Sequence, residues 1–309
     1  MRRTAYLTHA DCHRHEMFDG HPECPSRLGA IEDRLIASGL LDLLRYHEPP
    51  PATREQLARV HAAAHLDHLE RLAPGEEDGL AEVDPDTWMN AATLDAARRA
   101  AGAVVRAVDL VLAGEADNAF CNVRPPGHHA ERDRAMGFCF YNNIAVGAAH
   151  ALAEHGLERI AIADFDVHHG NGTEVIFADT TSVLACSSYQ HPFYPYTTPL
   201  ERDHLIHCPL PAGTGGSGFR AAVEERWLPA IDAFAPELIM VSAGFDAHLE
   251  DDMGGMRLVE ADYAWVTREL VELADRHAQG RVVSALEGGY ALSALGRSAA
   301  AHVRVLLGI

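Results

Sequence analysis

The fold is decided by the stretch RIAIADFDVHHGNG, residues 159–172, in which a short apolar run ends in polar side chains and glycines. The predicted strand Arg159–Ala163 is entirely apolar after its first residue. Such a run is typical of a strand buried on both faces of a parallel sheet. The next residues, Asp164–Gly172, carry two glycines and therefore indicate a turn. The segment predicts a strand that presents carboxylate and imidazole groups at its carboxyl end.

Apolar runs of the same kind recur along the chain and are separated by helical patterns. The further predicted strands are Asn118–Val123, Val183–Ser187, Leu205–Pro209, Leu238–Ser242 and Val282–Leu286. The predicted helices are Ser26–Ser38, Thr93–Ala113, Asn142–His155, Phe219–Ala233, Glu260–Ala278 and Leu292–Leu307. Because strands and helices alternate, we expect an α/β fold whose central, mostly parallel sheet is covered by helices on both faces.

Three more of these strands end in polar, glycine-rich turns. The turns are RPPGHH at 124–129, AGFDAH at 243–248 and EGGY at 287–290. Ligands of open parallel sheets bind at the carboxyl ends of the strands. The four turns therefore predict one functional site at that edge of the sheet.

Asp166 and His168 form a compact pair of metal ligands, because residues two apart on an extended chain point to the same side. Asp246, from another strand end, completes a three-ligand set. Three protein ligands leave coordination positions open, which is typical of a catalytic rather than a structural zinc site. The competing interpretation is that these groups only cap glycine-rich turns through hydrogen bonds.

A second candidate metal cluster lies near the N-terminus. Its members are Cys12, His13, His15, Glu16, His21 and Cys24. Their spacing matches no regular zinc-finger pattern, so we expect a surface loop near the mouth of the site.

Composition excludes several classes of function. The net charge of −20 disfavours nucleic-acid binding and suits a cationic substrate. The chain contains no lysine, which excludes Schiff-base chemistry and a Walker-type phosphate site. No apolar run is long enough to span a membrane, and no secretory signal follows the N-terminal arginines. The six cysteines form no C-x-x-C pair and are interpreted as buried thiols of a cytoplasmic protein.

Five motifs together resemble those of the histone deacetylase family. They are RPPGHHA at 124–130, GFCFYNN at 137–143, DFDVHHGNGT at 164–173, AGFD at 243–246 and EGGY at 287–290. Asn171 and the sequence His21–Glu23 make the chain most similar to the class II branch and its bacterial relatives. The resemblance implies a three-layer arginase–deacetylase fold and a single catalytic domain over residues 1–309.

The resemblance also implies a set of site residues. One zinc ion per chain would be held by Asp166, His168 and Asp246. His128 and His129 would form a histidine dyad, with His129 as principal general base and acid. Asp164 would support His128, and Asn171 would support His129. Tyr290 would donate a hydrogen bond to the developing oxyanion.

Further residues follow from the same resemblance. The substrate channel would be lined by Gly137, Phe138, Tyr194 and Met253. An inner potassium site would use Asp164, Asp166, His168, Ser187 and Ser188, and an outer one Phe177, Thr180 and Val183. Met253 stands where polyamine-selective relatives have a glutamate, which favours a broad acyl-lysine or small-amide substrate over a polyamine.

Two alternatives stay open. One is a binuclear manganese ureohydrolase of the arginase type, although Gly170 and His248 stand where its second metal would need carboxylates. The other is a non-catalytic deacetylase-like binding protein, although Tyr290 and both dyad histidines are retained. The expected partner is an acetylated small molecule or peptide, with neither nucleic acid nor membrane, and an oligomer is compatible with the sequence.

Overall fold

The apolar runs form a central sheet, because strands covered on both faces can bury every side chain. The structure is a computed structural model that describes residues 1–309. Its main sheet contains β1 (Thr4–Leu7), β2 (Arg45–His47), β5 (Asn118–Cys121), β6 (Ile160–Asp164), β7 (Val183–Gln190), β8 (Leu205–Leu210), β9 (Leu238–Ala243) and β10 (Val282–Leu286). A separate antiparallel pair consists of β3 (Ala81–Asp84) and β4 (Thr87–Met89).

The eight strands of the main sheet are all parallel, in the order β2-β1-β5-β10-β9-β6-β7-β8. The four strands whose turns carry the polar motifs, β5, β10, β9 and β6, are therefore neighbours at the centre. Their registers align the strand ends: Asp164 lies beside Ser242, and Ala243 lies beside Leu286. This alignment brings the four turns together.

Helices cover the sheet on both faces. They are α1 (Ser26–Ala37), α2 (Arg54–Ala58), α3 (Ala63–Leu72), α4 (Thr93–Leu112), α5 (Asn143–His155), α6 (Asn171–Phe177), α7 (Gly216–Ala222), α8 (Leu228–Phe234), α9 (Glu260–His277) and α10 (Leu292–Leu306). The small side chains of α4 let it pack closely against α5, while α1, α9 and α10 pack together as a second group. The predicted α/β fold is confirmed. No helix combines the length and apolarity needed to cross a bilayer.

The predicted helix Phe219–Ala233 is present, but one turn within it is irregular. The segment Phe219–Ala233 is divided between α7 and α8 by a π-helical turn at Val223–Trp227. Pro229, in the first turn of α8, explains part of this irregular hydrogen bonding, because proline has no amide hydrogen to donate to the preceding turn. The other predicted helices and strands are found within a few residues of their expected ends.

Candidate metal centre and catalytic site

The three predicted metal ligands meet at the centre of the sheet edge. The ligand atoms of Asp166, His168 and Asp246 all lie within 4.8 Å of one another, and all three residues are buried. His168 Nδ1 is 3.0 Å from Asp166 Oδ1 and 3.2 Å from Asp246 Oδ2. The imidazole therefore faces both carboxylates through the same nitrogen.

Two glycines provide the space for these carboxylates. A Cβ atom on Gly288 would lie 2.0 Å from Asp246 Oδ2 and 2.6 Å from Asp166 Oδ2. A Cβ on Gly244 would lie 2.1 Å from Asp166 Oδ2. The Gly288 amide also donates a hydrogen bond to Asp166 Oδ2 at 2.8 Å. Both turns thus need glycine so that the backbone can approach the ligands.

The charges of the cluster fit a divalent cation. Burial and the neighbouring Asp166 raise the pKa of Asp246 to about 7. Burial alone would lower the pKa of His168, but the adjacent Asp166 and Asp246 carboxylates raise it to about 10. Asp246 Oδ2 is buried and has no hydrogen-bond partner. A cation would compensate both carboxylates and occupy this free oxygen, so the residues suit a metal ion.

The two dyad histidines lie beside the cluster and have different partners. His128 Nδ1 is 2.9 Å from Asp164 Oδ2, and His129 Nδ1 is 2.8 Å from Asn171 Oδ1. The ring centroids are 4.0 Å apart. A Cβ on Gly137 would lie 2.4 Å from His129 Cδ2, so this glycine makes room for the ring.

These partners separate the basicities of the dyad. Burial opposes protonation of His128, but Asp164 and Asp166 outweigh it and raise its pKa well above the ordinary value. Burial, together with His128 and His168, lowers the pKa of His129 well below the ordinary value. His128 is therefore the more basic of the two rings and His129 the less basic.

A cavity of about 330 Å³ opens above the cluster. It is lined by Asp86, His129, Gly137, Phe138, His168, Phe193, Tyr194, Tyr196, Asp252, Met253 and Tyr290. All four channel residues expected from the sequence are among them. The structure adds Phe193, whose ring stacks on His168 with centroids 5.4 Å apart, and Tyr196 at the rim, which sequence reasoning missed. Both residues are close in sequence to Tyr194, which was predicted to line the channel, and this could have indicated that they lie there too.

The turn that carries Tyr290 is fixed by a residue that sequence reasoning also missed. Asp251 Oδ2 accepts hydrogen bonds from the amides of Tyr290 and Ala291, at 2.7 and 2.9 Å. The Arg27 guanidinium lies 4.9 Å from the centre of the Tyr290 ring. Desolvation raises the pKa of Tyr290 well above its ordinary value, so the hydroxyl keeps its proton.

Glu287 joins three of the strand ends. Its carboxylate accepts hydrogen bonds from the amides of Gly127 and His128, at 2.7 and 3.1 Å, and from the Ser242 hydroxyl at 3.0 Å. The residue is fully buried, and burial raises its pKa to about 7. Glu287 therefore positions the backbone of the dyad, a role that its place before Gly288 did not reveal.

The N-terminal segment is the expected surface loop only in part, because His13 and Glu16 are exposed whereas Cys12 and His15 are buried. The buried Arg124 guanidinium pairs with Glu23 at 2.7 Å and donates hydrogen bonds to the Cys12 and His15 carbonyls at 2.8 and 3.0 Å, which holds this part of the segment in the interior. The predicted proximity to the mouth holds for His21, whose ring lies 4.7 Å from that of Phe138. Five of the six cysteines are buried and all are free thiols.

The residues expected at potassium sites fall into two groups. Asp164 and Ser187 line one small cavity, with Ser188 next along β7. In the second group, the Thr180 amide donates to the Phe177 carbonyl at 2.9 Å, and the Val183 amide donates to the Thr180 carbonyl at 3.1 Å. Potassium binding by either group stays a prediction.

His248 does not extend the metal cluster. Its Nδ1 accepts a hydrogen bond from the Glu250 amide at 3.1 Å, and its Nε2 faces Glu260 at 3.7 Å. Gly170 has no side chain to offer. The second carboxylate pair that a binuclear ureohydrolase would need is therefore missing from these positions.

Comparisons with known proteins agree with this geometry. A sequence model of the histone deacetylase domain matches residues 21–306. The histone deacetylase-like amidohydrolase of Pseudomonas aeruginosa is 39% identical over 88% of this chain and 73% of its own length. Human polyamine deacetylase HDAC10 is 37% identical over 99% of this chain and 48% of its own length. A crystal structure of the HDA15 HD domain has a TM-score of 0.93 at 34% identity, covering 99% of this chain and 88% of that one. The chain therefore belongs to the histone deacetylase family and is an enzyme of its deacetylase and amidohydrolase type.

Proposed function

We propose that residues 1–309 form one catalytic domain that uses zinc to hydrolyse acetylated amines. The observation that carries this proposal is the meeting of Asp166, His168 and Asp246 beside a cavity that His129 and Tyr290 also line. These three residues would hold the ion. When bound, zinc lowers the pKa of a water molecule and polarises an amide carbonyl.

His129 is the proton-transferring residue in this proposal. Its lowered pKa keeps the imidazole neutral, so its Nε2 can accept a proton from the attacking water. The same nitrogen then returns the proton to the departing amine. His128, paired with Asp164, stays protonated and adds positive charge next to the reacting atoms.

Tyr290 supplies the hydrogen bond to the oxyanion. Its hydroxyl remains protonated because of its raised pKa, and its backbone is held by Asp251. A preorganised donor of this kind contributes about 3 kcal/mol to transition-state stabilisation.

The substrate we propose is an acyl-lysine or another small linear amide. Phe138 and Tyr194 supply aromatic walls that suit a slim methylene chain. Met253 itself is apolar, and the carboxylates of this cavity wall are those of Asp252 and of Asp86, whose Oδ1 accepts a hydrogen bond from the Gly137 amide at 3.1 Å. HDAC10 is a polyamine deacetylase by name, so N-acetylated polyamines are the competing substrate class.

The test compares wild type with Tyr290→Phe on a fluorogenic acetyl-lysine amide and on N-acetylated polyamines. We expect kcat to fall roughly 100-fold or more in the variant, because it loses one oxyanion donor. Zinc content should be unchanged, and wild-type kcat/KM should be higher for the acetyl-lysine amide. Equal, near-zero turnover of both proteins on every substrate would favour a binding protein instead.

A further inference from the structure

A second cluster of side chains that could bind a metal uses none of the three proposed zinc ligands, although its small cavity is also lined by Asp164 and Ser187. It consists of His169, Glu174 and His207, whose ligand atoms lie within 4.8 Å of one another. His169 follows β6, Glu174 is in α6, and His207 is in β8. His169 and Glu174 are 3% and 5% exposed and the His207 side chain is 17% exposed, so the cluster lies mostly below the surface.

The three side chains converge on the carboxylate of Glu174. His169 Nε2 is 2.6 Å from Glu174 Oε2. His207 Nε2 is 3.5 Å from the same oxygen and 3.1 Å from the Leu200 carbonyl oxygen, its hydrogen-bond partner. The other oxygen, Oε1, accepts a hydrogen bond from the Leu200 amide at 2.6 Å. The second nitrogen of His169, Nδ1, lies 3.4 Å from Ser187 Oγ. These two contacts resemble the hydrogen bonds that orient the ligands of known metal sites. Each one engages one polar atom of a side chain and leaves its other polar atom free to bind a metal.

Several atoms of the cluster lack an adequate hydrogen bond. His169 Nε2, Glu174 Oε2 and His207 Nδ1 are all buried and have no partner of acceptable geometry. The three residues line a cavity of about 10 Å³, roughly the room of one water-sized sphere. The ring of Tyr189, 4.5 Å from that of His169, adds apolar surface beside them. Buried polar atoms of this kind need a ligand or a partner.

A simple ion pair explains only part of the arrangement. A hydrogen bond between His169 Nε2 and Glu174 Oε2 would engage only one of the two imidazoles, and His207 Nδ1 would stay without a partner. A divalent cation would use both imidazoles and the carboxylate at once.

We propose that His169, Glu174 and His207 bind a second metal ion, a divalent transition metal of the zinc class. Two imidazole nitrogens and one carboxylate favour zinc over potassium, magnesium or calcium, which prefer oxygen ligands. The site shares no ligand with Asp166, His168 and Asp246, so it does not depend on the proposed catalytic function. Its ion would link the turn after β6 to α6 and β8.

The experiment counts zinc per chain after the full-length protein is reconstituted with zinc and desalted. We expect wild type to hold one zinc ion more than either Glu174→Gln or His207→Asn. Glu174→Gln keeps the acceptor for the Leu200 amide and so disturbs the fold least. His204→Asn is the matched control, because this nearby histidine binds the Phe177 carbonyl and not the cluster. His204→Asn should keep the full zinc content.

X-ray absorption at the zinc edge gives an independent measure. The mean number of imidazole ligands per zinc should be higher in wild type than in His207→Asn, since the second site has two histidines and the catalytic one has one. Asp246→Asn should lose the catalytic ion and activity while keeping the second ion, whereas His207→Asn should keep its turnover. Equal zinc content and equal imidazole number in wild type, Glu174→Gln and His207→Asn would overturn the proposal.

Discussion

At the scale of single residues, the hydrogen-bond partner of each dyad histidine decides its protonation. His128 and His129 are adjacent in sequence and equally buried, yet one faces the Asp164 carboxylate and the other the neutral Asn171 amide. Burial opposes protonation of both rings, but only for His128 do nearby carboxylates, Asp164 first, outweigh it, so the two pKa values shift in opposite directions. The assignment of His129 as the base can therefore be tested by changing the charge of its partner.

Replacing Asn171 by aspartate should raise the pKa of His129. Asn171 also donates to Glu131 Oε1 at 2.7 Å, so the aspartate needs Glu131→Gln to restore a donor there. We expect the acid limb of the kcat/KM profile to move to higher pH in the Asn171→Asp/Glu131→Gln variant, because the base must be neutral in the free enzyme. Glu131→Gln alone is the matched control. Superimposable profiles for the control and the double variant would show that His129 is not the base.

At the scale of elements, the four turns after β5, β6, β9 and β10 combine ligands with glycines. Their convergence could be predicted from the sequence, because parallel strands place their carboxyl ends at one edge. The contacts of Glu287 and Asp251 could not be predicted, because they join turns that are distant in sequence and depend on the strand order. The π-helical turn between α7 and α8 could not be predicted, because the apolar period continues through it.

The turn after β10 should not tolerate a side chain at Gly288. The Cβ of Gly288→Ala would overlap both carboxylates of the metal cluster, so we expect the protein to lose metal affinity and activity while remaining folded. Metal content and turnover measure the effect. Gly29→Ala is the matched control, since a Cβ at this position in α1 meets no atom within 4 Å. The Gly29→Ala control should unfold at a slightly higher temperature, because replacing a helical glycine by alanine adds about 1 kcal/mol to the free energy of unfolding. Full metal content in Gly288→Ala would show that the carboxylates lie elsewhere.

At the scale of the whole molecule, stability depends on many buried polar groups, each of which has to keep one protonation state in the folded protein. His61 and His302 belong to neither of the proposed metal sites, and both are buried. Desolvation lowers the pKa of each to about 3, from an ordinary value of 6.5. The folded chain holds them neutral, whereas the unfolded chain protonates them below pH 6.5.

The free energy of unfolding should therefore be greatest above pH 6.5 and fall as the pH drops toward 3, by roughly 1.4 kcal/mol per pH unit for each such histidine. The sign follows because the unfolded state binds more protons than the folded state in this range. Urea unfolding at several pH values measures the slope. His302→Gln removes one such group and should reduce the slope, although it also loses the bonds to Thr267 and Ser284. His13→Gln, at an exposed histidine, should leave the slope unchanged. If His302→Gln kept the wild-type slope, His302 would already be protonated in the folded protein, and desolvation would not control its charge.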